Sequence, residues 1–369
     1  MATIGSTSAP STNTIYYDAL LSTTLASYVE SGTLYDNVFK DSAWLAALRD
    51  MGAVNKQDGG ERIRAPLMYQ GNSTIKSYAG EEVLDTTLQD GLTTAFYEWR
   101  EIGGTIGITR KEERQNSGES AILQLLETKI KQAQMQMRET LNSQLLLGTV
   151  SGATFVPGNS GKDLNPLFYY LRKLNQTDPV SGGNVGNIAG ASNAWWRHQT
   201  AVADSGSKDT GNAFALSIST YAGLKAGLRR LYNSCSKGSG GSPNLGIADQ
   251  ITFETYENSL DTQVRYTNTK MADMGFDNIK LRGATILWDE VVPDVDNGTA
   301  AITSGTCALI NTNFYNLIID SQTDIVTTPF VEPENQTVKT AKILFMGNTA
   351  VTNMRKHGVM YAISQTITA

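Results

Sequence analysis

Histidine and cysteine are almost missing from this sequence, with two of each in 369 residues. No His-Glu-x-x-His, Cys-x-x-Cys or carboxylate cluster at ligand spacing occurs, which removes the usual supports for a metal site. Cys235 and Cys307 allow one bridge at most, and two isolated thiols fit reduced core residues in a cytosolic protein. No apolar run reaches membrane-spanning length. Met1-Ala-Thr-Ile-Gly-Ser lacks the basic region and apolar core of a signal peptide, so the expectation is a chain folded in a cytosol without a membrane. Charge is scarce too: 18% of residues are charged, below the usual quarter, and the formal net charge is -6. A groove-tracking nucleic-acid binder needs a basic stripe to displace counterions, and none is present outside the mixed run Arg110–Arg114.

Hydrophobic residues make up 40% of the chain, enough for a substantial core, and the length suits two domains or one elaborated domain. Low charge eases wide protein–protein contact, because fewer groups must be desolvated. The most telling stretch is 91–148. Leu92-Thr-Thr-Ala-Phe96-Tyr97-Glu98-Trp99-Arg100 and Ile102-Gly-Gly-Thr-Ile106-Gly-Ile108-Thr109 have extended patterns. After the charged segment Arg110–Arg114 the period changes. Ile122, Leu126, Ile130, Ala133, Met137, Leu141 and Leu145 recur at steps of three and four, one face of a helix. Asn116 with Glu119 forms a candidate capping box and Gly148 a stop. At 1.5 Å per residue such a helix runs roughly 40 Å.

Around it, residues 1–14 read as an extended arm, and Tyr16–Glu30 and Ser42–Met51 as helices. Arg62–Tyr69 reads as a strand kept at an edge by Pro66, and Ile75–Tyr78 resumes an extended pattern. The span 55–90 is thus expected to be a long β-hairpin with too few apolar residues for its own core. Further on, the patterns predict helices at Leu164–Leu174, Phe214–Tyr232 and Glu254–Met271. Strands are predicted at Gln250–Phe253, Ile279–Arg282, Ala284–Trp288, Cys307–Ile310, Leu317–Ile319, Ala341–Phe345 and Val359–Ile363. No internal repeat is present.

Candidates for chemistry each have a plainer explanation. Gly103-Gly104-Thr-Ile-Gly107 sits inside a β pattern, not between strand and helix, so close backbone packing outranks a dinucleotide loop. Gly238-Ser239-Gly240 lies in a Gly/Ser run with no strand delivering a nucleophile, and reads as a solvated loop. Cys235 with His198 is weighed as a thiol–imidazole pair, but packing is the better reading of that cysteine. Adjacent Asp289 and Glu290 point to opposite faces of a strand and read as a solvated strand end. Trp195-Trp196 is either a loop anchor or a contact surface, since Trp and Arg are enriched where proteins meet.

The order of arm, hairpin, strand, long helix, compact α/β portion and returning strands resembles the major capsid proteins of tailed bacteriophages. Theirs is the Hong Kong 97 type of fold, in the α+β class. The resemblance covers nearly the whole chain. It is strengthened by Glu98-Trp99-Arg100-Glu101 through Ile108-Thr109-Arg110-Lys111-Glu112, and by Asn187 through the small-residue run ending in Trp195-Trp196-Arg197. It implies an arm with short helices over 1–54 and an E-loop hairpin over 55–90. A P domain over 91–213 would carry a spine helix over 117–147, followed by an A domain over 214–324 and returning strands over 325–369. It also implies a shell protein without catalytic residues, cofactor or metal, forming hexamers and pentamers with copies of itself. Such a shell would assemble in a bacterial host cytoplasm, become part of a virion and enclose double-stranded DNA without reading its sequence. Scaffolding, portal and decoration proteins would be further partners. Candidate intersubunit residues are Arg62, Arg64, Lys76, Glu81, Glu82, Arg110, Lys111, Glu112, Arg114, Trp195, Trp196 and Arg197. Some relatives cross-link a hairpin lysine to a P-domain asparagine; Lys56 or Lys76 and Asn353 are the nominees here, but nothing in the sequence marks a catalytic carboxylate beside them. The helix face Ile122–Leu145 is expected to pack on its own sheet, leaving contact between subunits to the arm and hairpin. Two other readings remain open: an encapsulin-type nanocompartment shell, and a soluble α+β enzyme whose site the sequence does not reveal.

Overall fold

A computed structural model describes residues 43–115, 125–151, 154–171, 184–190, 192–202, 214–215, 220–260, 279–292, 304–334 and 337–364. The arm, the helix expected at Tyr16–Glu30, the pair Asn116 and Glu119, and Ile122 lie outside these residues. The described chain forms two compact units. The larger draws on Ser42–Ile102, Thr140–Asp324 and Phe345–Ala369, the smaller on Gly103–Glu139 and Ile325–Leu344.

The larger unit is built on a mixed seven-stranded sheet. Its strand order is Phe214–Ala215, Gln199–Val202, Gly358–Ser364, Ser304–Ile310, Leu245–Ala248, Ala284–Trp288 and Ile279–Leu281. Gly358–Ser364 runs parallel to Gln199–Val202 and antiparallel to Ser304–Ile310. Every residue of Leu245–Ala248 is buried, as a strand covered on both faces requires. Helix Tyr221–Ser236 packs on Gln199–Val202 and Gly358–Ser364, and helix Gln250–Leu260 on Ala284–Trp288 and Ser304–Ile310. Leu224, Leu228, Leu231, Phe253, Ile286, Leu309 and Met360 meet in the resulting core. Cys235 and Cys307 are both free and buried there, and burial pushes both thiols up, Cys307 to about 12, as fits packed core thiols.

Two sequence expectations change in this region. Gln250–Phe253 is the first turn of a helix, not a strand. Asp249 explains it: one carboxylate oxygen accepts from Thr252 N at 3.1 Å, and the other from Thr306 N at 2.8 Å. The acid therefore caps the helix and pins it to a strand at once. The helix expected from Phe214 begins instead at Tyr221, where Thr220 Oγ1 accepts from Gly223 N, while Phe214–Ala215 is a short strand. A third change concerns Asp289. It is buried rather than solvated and accepts from Asn142 Nδ2 at 3.3 Å and Val291 N at 3.0 Å.

A second strand set in the larger unit pairs Val54–Gln57 in parallel with Leu317–Asp320, and Tyr315–Ile319 antiparallel with residues 347–351 of strand Val338–Val351. Val54–Gln57 therefore lies outside the hairpin that the sequence pattern places over 55–90. The paired strands of that hairpin are Ile63–Met68 and Leu92–Tyr97, and residues 69–91 between them contain no strand. The extended reading of Ile75–Tyr78 is not met.

In the smaller unit, residues 343–344 of Val338–Val351 pair with Val326–Thr327. Strand Arg100–Thr109 pairs with Val338–Val351 as well, and an ideal Cβ on Gly103 or Gly107 would touch Leu344 or Val338 at 3.5 or 3.6 Å. Both are ordinary van der Waals distances, and Gly104 has open space around its Cβ position, so the expected close packing does not account for these glycines. Helix Arg110–Gln115 follows without a break. Thr109 and Glu112 form the capping box: Glu112 Oε2 accepts from Thr109 N at 2.9 Å, and Thr109 Oγ1 accepts from Glu112 N at 3.3 Å.

The long helix is described over Leu125–Leu146. Burial along it is graded: Ile130 and Ala133 are half-buried, whereas Met137, Leu141 and Leu145 are buried. Gly148 ends it at φ +60°, where an added Cβ would lie 2.5 Å from Pro166 and 2.7 Å from the Val156 carbonyl. The helix expected at Leu164–Leu174 is one turn, Leu167–Tyr170, opened by Pro166.

His357 carries an acid-stability signature. It is fully enclosed, its Nδ1 accepts from Asn311 N at 3.2 Å, and burial together with nearby His198 lowers its pKa to about 3. An unfolded histidine titrates near ~6.5, so between there and about 3 only the unfolded chain takes the proton. This contribution is complete above ~6.5 and is lost as pH falls toward the folded value, at up to about 1.4 kcal/mol per pH unit. Urea unfolding of the wild type and His357→Gln from pH 7 to 4 should show the steeper loss in the wild type. Parallel curves would refute the assignment.

A projecting loop and its buttress

The hairpin sorts its side chains cleanly. Ile63, Ala65, Leu67, Ala95 and Tyr97 are buried, while Arg64, Pro66 and Met68 face solvent. Its register pairs Ile63 with Tyr97 and Met68 with Leu92. Beyond Met68 the chain leaves the core. Tyr69 N donates to Gly91 O at 3.0 Å and Tyr69 Oη to Asp90 O at 2.8 Å, closing the neck. Ser73 Oγ donates to Gln89 Oε1 at 2.8 Å, and Asn72 and Asp85 each accept from a backbone N–H two residues on. These bonds shape the loop but bury little. Ile75, Val83 and Leu88 are 82%, 87% and 97% exposed, respectively. Glu81, Glu82, Asp85 and Asp90 outnumber Lys76 on the same loop. An exposed apolar row rimmed by charge has the composition of a contact surface.

The root of the hairpin is rigid by contrast. Phe96 N donates to Gly186 O at 3.1 Å, and a Cβ on Gly186 would lie 2.7 Å from that of Ala95. Trp196 is buried and donates Nε1–H to Val185 O at 3.0 Å. Half-buried Trp195 stacks on Tyr69 at 5.5 Å between ring centroids, and Arg197 Nε donates to Gly190 O at 2.6 Å. The Trp-Trp-Arg motif is therefore a buttress under the loop. Trp196 is committed inside its own chain, which supports the loop-anchor reading and removes it as a contact residue.

Beneath the hairpin sits a buried polar clamp that sequence reasoning missed. Asn348 Oδ1 accepts from Asn165 N at 3.1 Å, and its Nδ2 donates to Glu98 O at 2.7 Å. Tyr97 Oη donates to Val351 O at 2.7 Å and Tyr170 Oη to Thr349 O at 2.8 Å, while Thr349 Oγ1 donates to Asn165 O at 2.8 Å. Burial pushes the Tyr97 and Tyr170 phenols well up, so they stay neutral donors. Only the long-range pairing reveals this set, since its members are separated by as many as 254 residues.

The other candidate contact residues divide. Arg62, Arg64, Lys76, Glu81 and Glu82 are exposed on the hairpin and its loop, and Arg64 faces Glu61 at 3.8 Å. Arg110, Lys111 and Arg114 are exposed on the short helix. Glu112 is not available for an outside partner: it is buried, caps its helix and takes Lys129 Nζ at 3.2 Å. Lys56 is paired with Asp324 at 3.1 Å, and Asn353 is half-buried before the turn Met354–Lys356. Among the described residues no group of three or more His, Cys, Asp or Glu could hold a metal, and no helix is long and apolar enough to cross a membrane.

No family model and no curated protein matches the chain. Solved structures do. A subunit of the cyanophage A-1(L) capsid asymmetric unit is 14% identical with a TM-score of 0.61, over 90% of this chain and 95% of that one. A native GTA particle capsid is 11% identical with a TM-score of 0.53, over 89% and 93%. The holo-SrpI encapsulin complex of Synechococcus elongatus PCC 7942 is 9% identical with a TM-score of 0.51, over 94% and 97%. The chain has the Hong Kong 97 type of capsid fold, with mixed helix and sheet.

The clamp makes a direct prediction. Asn348→Ala leaves the Asn165 amide and the Glu98 carbonyl without partners and should cost about 2–3 kcal/mol in urea unfolding. A loss under about 0.5 kcal/mol would show that the clamp is dispensable.

Proposed function

We propose that this chain is the major shell protein of a tailed-bacteriophage type of particle, building an icosahedral capsid from hexamers and pentamers of one polypeptide. The observation that carries the reading is the capsid fold across about nine-tenths of the chain, with a loop that leaves large apolar side chains in water. A loop of this kind has no core of its own and gains stability by seating on a neighbouring copy. Contact between unlike patches of identical chains closes into rings when the rotation permits, which is how one sequence builds hexamers and pentamers.

In this reading residues 1–54 are the arm with its short helices, and the E-loop is the hairpin from Ile63 to Tyr97, without Val54–Gln57. Residues 98–213 are the P domain, 214–324 the A domain and 325–369 the returning strands. Arg62, Arg64, Lys76, Glu81, Glu82, Arg110, Lys111, Arg114, Trp195 and Arg197 are the contact candidates that remain. The particle is assembled in the host bacterial cytoplasm, with scaffolding, portal and decoration proteins as partners, and encloses double-stranded DNA. A net charge of -6 suits a wall that does not hold the packaged polyanion. Shell building needs no catalytic group, so the chain is assigned no enzymatic activity.

The likeness to an encapsulin complex favours a second reading, a compartment around protein cargo. Nucleic acid inside particles from the native source supports the virion, and cargo protein without nucleic acid supports the compartment.

Replacing residues 71–89 with a two-residue turn should leave a folded subunit, within about 1 kcal/mol of the wild type, because the neck bonds and buttress remain. Negative-stain microscopy should show wild-type particles and none from the variant. The single exchange Leu88→Asp alters a solvent-facing side chain and should also reduce assembly. Normal particles from both variants would remove the loop from the contact, and a wild type that stays monomeric at high concentration would overturn the shell reading.

A further inference from the structure

The Gly/Ser run after helix Tyr221–Ser236 is not a loose connection. Lys356, 1% exposed, sends its ammonium into it and donates to three backbone carbonyls, those of Lys237, Gly238 and Gly241, each at 3.1 Å. The carbonyl of Gly240 in the same turn accepts from Asn311 Nδ2 at 3.1 Å. To turn these oxygens inward the backbone passes through the left-handed region at Gly238, Gly240 and Gly241, with φ of +87°, +106° and +82°. A side chain at position 240 would meet the Phe314 ring at 2.7 Å. The glycines are thus the conformational requirement of a carbonyl cage, and the lysine is its occupant.

The charge has no counter-ion among the described residues. Arg355 beside it is a cation, Cys235 on the facing helix is a neutral thiol, His357 is a neutral imidazole, and Asn311 and Phe314 carry no charge. The turn Ala194–Trp196, which also packs here, has no titratable side chain. An ammonium held only by carbonyl dipoles is sensitive to their placement, and they are equally sensitive to it. Lys237, Gly238, Ser239, Gly240 and Gly241 are all exposed outside the cage.

We propose that Lys356 is a tethered cation that latches the turn 237–241, so that one buried charge fixes the shape that the glycines of this exposed tip permit. The Lys237–Gly238 bond reports on the latch, since trypsin must draw that carbonyl out of the cage to cleave it. In the full-length wild type this bond should be cut slowly. Lys356→Met, similar in volume but unable to donate, should be cut at least tenfold faster at this bond by mass spectrometry, with an unchanged circular dichroism spectrum. In Lys356→Ala, ethylammonium chloride should restore protection several-fold, and tetraethylammonium chloride, which has no N–H, should not. Wild-type protection retained in Lys356→Met would overturn the latch and leave a packing role. If both variants fail to fold, acetylation of the native wild type by an N-hydroxysuccinimide ester decides. Lys237 should react and Lys356 should not, and equal reactivity would refute the cage.

Discussion

The buried amide of Asn348 is the point on which the hairpin's placement depends. It accepts from a buried backbone N–H before one turn of helix and donates to a part-buried backbone carbonyl at the exit of the hairpin. Tyr97, Tyr170 and Thr349 extend the same clamp with hydrogen bonds to buried carbonyls. Unpaired polar groups in such a place are expensive, so the set behaves as a unit that is either complete or absent. A rigid root follows, and with it the direction in which the loop 69–91 leaves the core.

Above that root the physics reverses. The loop carries Ile75, Val83 and Leu88 into solvent, with turn bonds for shape and no burial to stabilise them. A fixed root and an uncompensated tip suit a part that is completed by another molecule. The Trp195–Arg197 motif belongs to the fixed half: Trp195 stacks on the neck residue Tyr69, Trp196 and Arg197 bond to the carbonyls of Val185 and Gly190, and Trp195 and Arg197 each keep part of their surface open. The Lys356 cage shows the same division on another tip, where glycines supply the backbone freedom and one ammonium removes it.

Periodicity made much of the fold legible. The strands around Ala284–Trp288, Ser304–Ile310 and Gly358–Ser364, the strand Arg100–Thr109 and the long helix all follow from local pattern. The errors share a cause. Ile251 and Phe253 alternate like a strand, yet Asp249, reaching for the amides of Thr252 and Thr306, starts a helix there. The sequence pattern places a hairpin over 55–90, whereas Val54–Gln57 pairs with Leu317–Asp320, far off in sequence. Asp289 looked like a solvated strand end until Asn142 was brought to it by the long helix.

The sequence by itself determined the alternation and the helical stripe, the positions of the glycines, and the scarcity of histidine, cysteine and charge that left no metal or nucleophile pattern. These are properties of neighbouring residues, and local sterics and hydrophobic period suffice to write them. Only the tertiary structure decided which polar side chains were committed inward. Asn348, Trp196 and Lys356 look in sequence like any surface-capable residues, and each found its partners through contacts that the chain order does not announce. Burial makes such partners obligatory, and burial is set by long-range packing.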